Sequence, residues 1–269
     1  MRLGIIGCGA IGSTVAKAAS QMPEVKKIKL LDKDTPPREA LAKAIDATVY
    51  SPDDVNKFLR GLDLVIEAAS QEAVAQYGIT VLRAGCDLMV LSVGALGSKD
   101  LFDSLMREAS KRGLSIYVPS GAVAGMDGVF AAAQAGLGEV TLVSTKPPEG
   151  FKDAPYLIDK GIDLKGIVSP KTLFEGPASE AVKAFPKNVN VAATLSLCGL
   201  GLEGTNVRIV ADPEAVKNKH EILAKGAFGE LRVEVQNVPS PQNPRTSYLA
   251  ALSAIGCLKK IISGVWVGV

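Results

Sequence analysis

A chain of 269 residues, 47% hydrophobic and 22% charged, has the size and balance of a globular protein with one large or two modest cores. Thirty basic against 28 acidic residues leave a net charge of +2, which implies neither a nucleic-acid partner nor a membrane partner. The apolar run Val191–Leu202 is too short to cross a bilayer, and a chain that opens on a core strand has no signal-peptide pattern, so a cytoplasmic protein is expected.

In chain order, Leu3, Ile5 and Ile6 make a short apolar strand that breaks at Gly7-Cys8-Gly9-Ala10-Ile11-Gly12. A helix follows, with Ile11, Val15, Ala18 and Ala19 at three- and four-residue spacing. The next apolar run, Ile28–Leu31, ends on Asp32, twenty residues after Gly12. Each part has a task in holding a dinucleotide. Gly7 permits the tight turn, Gly9 lets the backbone approach a pyrophosphate, and Gly12 lets helix and strand pack closely. The helix start at Ala10 and Ile11 offers N–H groups and a positive dipole end, and Asp32 accepts hydrogen bonds from a ribose 2′-OH. Lys33 beside it leaves room for NADP as well as NAD.

Pro36 and Pro37 open a helix to about Ala47, followed by a strand to Tyr50. Ser51–Asp54 reads as a cap for a helix through Leu59. Strands at Leu64–Ile66, Leu88–Leu91 and Leu114–Val118 then alternate with helices at Gln71–Ala84 and Ser98–Arg112. This alternation predicts an α/β fold, a Rossmann-type doubly wound parallel sheet. Ligands bind such sheets beyond the carboxyl ends of their strands. The cofactor cleft is therefore expected along Ala68, Ala69 and Ser70, Ser92–Gly94 and Ser120–Ala124, and backbone groups of Ser120, Gly121 and Ala122 are candidates to hold a substrate.

From Val140 the pattern changes. Val140–Thr145, Lys171–Phe174, Asn206–Ala211, His220–Lys225 and Glu230–Gln236 read as strands, the last two joined through Gly226 and Gly229. Pro177–Ala184 and Val189–Leu202 read as helices. Pro239–Pro244 reads as a rigid polar linker before a helix from about Arg245 to Ile262, whose apolar face is expected to pack back on the first domain. The predicted domains are 1–122 for the dinucleotide, 123–240 as a mixed α/β substrate domain, and 241–269 as the returning helix.

Cys8, Cys86, Cys198 and Cys257 are scattered, without a CxxC or Cys/His cluster, so no metal site is expected. Cys198 lies in an apolar segment with no base near in sequence, which disfavours a nucleophile. Acid–base chemistry near neutral pH falls to the single histidine, His220, which can equally be structural. Asn190, at the start of an apolar helix, reads either as an N-cap or as a ligand contact.

Phe185-Pro186-Lys187-Asn188-Val189-Asn190-Val191-Ala192-Ala193-Thr194-Leu195 strongly resembles a stretch of the L-aspartate dehydrogenase family. In the same order, Pro119–Ala122, Asn206–Pro213, Asn218–Glu221 and Asn243–Ser247 resemble that family too. The resemblance implies NAD(P)-dependent oxidation of L-aspartate to iminoaspartate, which hydrolyses to oxaloacetate and ammonia or feeds NAD biosynthesis. It makes His220 the catalytic acid–base and places Ala124 and Asn190 on the cofactor. Lys219 is a candidate for a substrate carboxylate, and a homodimer through the second domain's sheet is expected. The rival readings are a homoserine-dehydrogenase-like or dihydrodipicolinate-reductase-like oxidoreductase, and a non-catalytic NAD(H)-sensing module.

Overall fold

A computed structural model describes residues 1–186, 189–241 and 243–268. Two compact units are present: residues 1–119 with 251–267, and residues 120–250 with the end of the chain.

The first unit alternates strand and helix. It runs β1 (Arg2–Ile6), α1 (Ala10–Ser20), β2 (Lys27–Leu31), α2 (Thr35–Ile45), β3 (Thr48–Tyr50) and α3 (Val55–Leu59). It continues through β4 (Leu64–Glu67), α4 (Gln71–Arg83), β5 (Asp87–Val90), α5 (Lys99–Arg112) and β6 (Ile116–Tyr117). The six strands pair in parallel in the order β3-β2-β1-β4-β5-β6, the doubly wound dinucleotide-binding topology. Near-continuous apolar strands are what a sheet covered on both faces requires, and β4 is buried along its whole length. Lys29 is the exception on β2. Its ammonium donates to the carbonyls of Lys57 (3.1 Å), Phe58 (2.9 Å) and Arg60 (2.9 Å), satisfying the open end of α3.

The second unit opens with α6 (Met126–Ala133), β7 (Leu137–Lys146), α7 (Pro155–Asp159), β8 (Lys171–Pro177) and α8 (Ala178–Ala184). It continues with α9 (Asn190–Cys198), α10 (Gly201–Gly204), β9 (Thr205–Ala211), β10 (Asn218–Gly226) and β11 (Gly229–Asn237). Its five-stranded sheet has the order β11-β10-β7-β9-β8 and is mixed: β7 and β9 run parallel, the remaining pairs antiparallel. One face is packed on an apolar core that includes Phe151, Phe185, Ala192 and Leu195.

Three expectations change. The apolar run after Val189 is two helices, not one, because the backbone leaves the helix at Gly199 (φ −120°, ψ −118°) and α10 starts afresh at Gly201, whose φ of +73° suits glycine. Met126–Ala133 and Pro155–Asp159, unassigned in the sequence, are helical. Pro239–Pro244 is not a bare linker. β12 (Pro239–Ser240) pairs antiparallel with β13 (Asn243–Ser247), so the last helix, α11 (Tyr248–Ser263), begins three residues later than expected. Gln242 of that segment lies outside the described residues, as do Lys187 and Asn188. Ala254 and Leu258 of α11 are fully buried in the first unit's core with Leu3, Ile5 and Val15.

Candidate active site

In the first unit the glycine turn shapes a crevice of about 550 Å³. Gly7, Gly9, Asp32, Ala68 and Ala69 line it, at the carboxyl ends of β1, β2 and β4. The three glycines differ in what a side chain would meet. A Cβ on Gly7 would lie 2.7 Å from the carbonyl oxygen of Ala68, and one on Gly12 would strike the carbonyl of Gly7. A Cβ on Gly9 would meet nothing within 4 Å. Packing thus accounts for Gly7 and Gly12, whereas the space over Gly9 is ligand-sized and open. Gly9 is the N-cap of α1 with no side-chain cap, so the N–H groups of the first turn, at Ala10, Ile11 and Gly12, point out of a helix start suited to an anion. This fits a pyrophosphate.

Asp32 is tied into the same loop. Its Oδ2 accepts from the N–H of Cys8 at 2.5 Å and its Oδ1 from the N–H of Asp34 at 2.9 Å. Arg38, buried beneath, donates to the carbonyls of Asp32 (2.7 Å) and Tyr50 (3.0 Å). Glu67, which the sequence reading passed over, holds the crevice's other wall. It is 1% exposed. Its Oε1 accepts from the N–H groups of Ala69 (2.8 Å) and Ser70 (2.9 Å) and from Ser92 Oγ (2.9 Å), and its Oε2 from Ser92 N–H (3.0 Å). Burial pushes this carboxyl's pKa up, against the pull of those donors. Ser92, expected on the cofactor, instead spends both its N–H and its hydroxyl on Glu67, so its side chain shapes the loop.

In the second unit His220 is buried on the inward face of β10. The register places it opposite Ser144 of β7, and Ser144 Oγ lies 2.9 Å from His220 Nδ1. Lys146, two residues along β7, shares that face and is itself buried. Burial, then the charge of Lys146, pushes the His220 pKa down to about 3, and burial pulls that of Lys146 down to about 8. The imidazole is therefore neutral at pH 7, oriented at Nδ1, with Nε2 as the atom not paired to Ser144.

Lys219 does not belong to this cluster. Strand alternation turns it to the opposite face, where its ammonium lies 3.8 Å from Glu234. Asn190 is the first residue of α9, not its cap; the cap is Val189, with no side-chain hydrogen bond, and Asn190 is exposed. Ser120–Ala122 forms a turn with Gly121 at φ +70°, and the carbonyl of Ala122 accepts from Asn237 Nδ2 at 2.8 Å. Ala124 is exposed just ahead of α6. Burial raises the Cys198 thiol to about 11, the reverse of an activated nucleophile. Ser144 and Lys146 were overlooked, although the alternation Val140, Leu142, Ser144, Lys146 marks both as polar residues on an inward face.

A parallel dinucleotide-binding unit joined in one chain to a mixed-sheet unit with a buried, oriented histidine defines a nicotinamide-nucleotide-dependent dehydrogenase. Residues 7–119 match the family model for the NAD-binding domain of homoserine dehydrogenase, and residues 127–261 match that for the C-terminal domain of aspartate dehydrogenase. The chain is 47% identical to the L-aspartate dehydrogenase of Methanosarcina acetivorans, over 100% of this chain and 99% of that protein. It is 40% identical to that of Methanococcus maripaludis over the same shares. The crystal structure of aspartate dehydrogenase from Thermotoga maritima superposes with a TM-score of 0.75 at 26% identity, covering 99% of both chains. The chain belongs to the L-aspartate dehydrogenase family.

Proposed function

We propose that this chain oxidises L-aspartate to iminoaspartate with NAD, releasing oxaloacetate and ammonia on hydrolysis, and runs the reductive amination in reverse. NAD, when bound, supplies the hydride acceptor. The turn at Gly7–Gly12 and the helix start at Ala10 and Ile11 would hold its pyrophosphate, and Asp32 its ribose. Ala68, Ala69, Ala124 and Asn190 add contacts. Asp32 favours a 2′-OH over a 2′-phosphate, while Lys33, also lining the crevice, keeps NADP usable at a lower kcat/KM. Hydride leaves the substrate Cα as the amine nitrogen loses a proton and becomes the imine.

The observation that carries this reading is the Ser144–His220 pair. With Nδ1–H directed to Ser144 Oγ, Nε2 presents a lone pair to take the amine proton and later to activate water. The negative charge of a dicarboxylate substrate beside His220 lifts the histidine from its depressed pKa toward the working range. The Ser120–Ala122 turn offers backbone N–H groups to the α-carboxylate. The product places the enzyme at the head of a route to pyridine nucleotides, in the cytoplasm.

A homodimer through the outer face of the second sheet is part of the same reading. Half-buried Val143, Val210 and Leu223 lie there, among the ion pairs Arg232–Glu221 (3.0 Å) and Arg208–Glu175 (2.7 Å). Sedimentation at a mass of one chain would remove it.

The test is oxidation of NADH by oxaloacetate with and without ammonium. Oxidation that requires ammonium supports the reading; oxidation without it identifies a hydroxy-acid dehydrogenase and overturns it. His220→Ala is expected to lower turnover roughly 10²–10⁴-fold with NADH affinity intact.

A further inference from the structure

We infer that Glu72 biases the first unit against NADPH by opposing a 2′-phosphate on the adenosine ribose of the cofactor. The inference rests on the dinucleotide reading of the crevice and adds a residue outside the glycine turn and the acid that follows it. Among the described residues, the charged groups that line the crevice are Asp32, Lys33 and Asp34 after β2, and Glu72 in the first turn of α4. β1 lies between β2 and β4 in the sheet. The loop after β2 and the start of α4, which follows β4, therefore stand on opposite sides of the glycine turn.

The start of α4 is fixed by the chain around it. Ser70 is the N-cap, its Oγ accepting from the N–H of Ala73 at 3.2 Å, and its own N–H donates to buried Glu67 at 2.9 Å. Glu72, two residues on, is exposed at the crevice. Its own N–H, Ser70 and the charge of Lys33 hold its carboxyl below the ordinary carboxylate range. Lys33 thus acts on Glu72 from the other side of the crevice, and three carboxylates outweigh that one ammonium. Asp32 directs both oxygens at backbone N–H groups, of Cys8 and Asp34, which offset part of its charge. Arg38, the arginine nearest in sequence, donates to the carbonyls of Asp32 and Tyr50 and does not line the crevice. A 2′-phosphate carries about two negative charges and would meet this net negative rim, whereas a 2′-OH carries none. Water weakens each charge at such exposure, so Glu72 contributes a several-fold bias. An acid in the first turn also favours the dipole of α4, but Asp100 does the same for α5 away from the crevice. Asp100 is therefore the control.

The experiment measures NADH and NADPH dissociation constants by fluorescence titration of wild type, Glu72→Gln, Glu72→Asp and Asp100→Asn, with a thermal melt of each. Glu72→Gln is expected to bind NADPH about 3–10-fold more tightly than wild type does, with NADH affinity within about 2-fold. Glu72→Asp keeps the charge and retains the wild-type ratio. Asp100→Asn removes a charge elsewhere and leaves both constants as they were. The gain in Glu72→Gln narrows between about 0.05 and 0.5 M salt, as a charge effect must. An unchanged NADPH constant in Glu72→Gln overturns the inference. So does an equal gain for both nucleotides, or the same gain in Asp100→Asn. A wild type that binds neither nucleotide refutes the dinucleotide reading itself, and the inference falls with it.

Discussion

At the scale of single residues, the glycine turn separates packing from binding. The space over Gly9 is open and its backbone, at φ −68°, is one any residue adopts. Gly9→Ala should therefore fold with an unchanged thermal midpoint while its methyl occupies the pyrophosphate's approach, raising the NADH Kd about 10-fold or more. Gly12→Ala should do the opposite. Its Cβ meets the Gly7 carbonyl, which is held in the turn, and overpacking of this kind costs about 1–3 kcal/mol. Urea denaturation and fluorescence titration of the two variants check the contrast; equal behaviour would refute it. The turn was readable in advance because its residue types, spacing and following acid carry the geometry. Ser144 was not, because its meaning depends on a cross-strand partner 76 positions away.

At the scale of elements, Glu67 joins the loops that follow β4 and β5. Four donors converge on one buried carboxylate, so the crevice wall depends on an acceptor with two oxygens. Glu67→Gln keeps one oxygen for the three donors on Oε1 and turns an amide NH₂ toward the Ser92 N–H, which costs about 1–3 kcal/mol. Glu67→Ala strands all four donors and should cost more, about 3–5 kcal/mol, with weakened NADH binding in both variants. Chemical denaturation in parallel with NADH titration measures this, and a stable Glu67→Ala protein would exclude the clamp. Elements with a strong internal period, such as β1–α1–β2 and the β10–β11 hairpin, were legible from their residues. The break at Gly199–Gly201 and the β12–β13 pair were not. An apolar composition hides where a buried helix stops, and a proline-rich run hides which of its few N–H groups find a partner strand.

At the scale of the molecule, the buried pair in the second unit makes stability depend on pH at both ends. The His220 pKa falls from 6.5 unfolded to about 3 folded. Between those values the unfolded chain binds more protons, so stability is lost as pH falls from about 6.5 toward 3, by on the order of 1.4 kcal/mol per pH unit from this group. The Lys146 pKa falls from 10.5 to about 8. Here too the unfolded chain holds the extra proton, so stability rises as pH climbs from 8 to 10.5. At neutral pH the native protein therefore carries a charge its fold disfavours. Lys146→Met should be more stable than wild type at pH 7, by roughly 1–3 kcal/mol, and should lose the alkaline slope while keeping the acid one. Thermal melts of wild type and Lys146→Met across pH 4–10 test these expectations. A flat alkaline limb in wild type would mean that Lys146 titrates like an exposed amine and that the site bears no such cost.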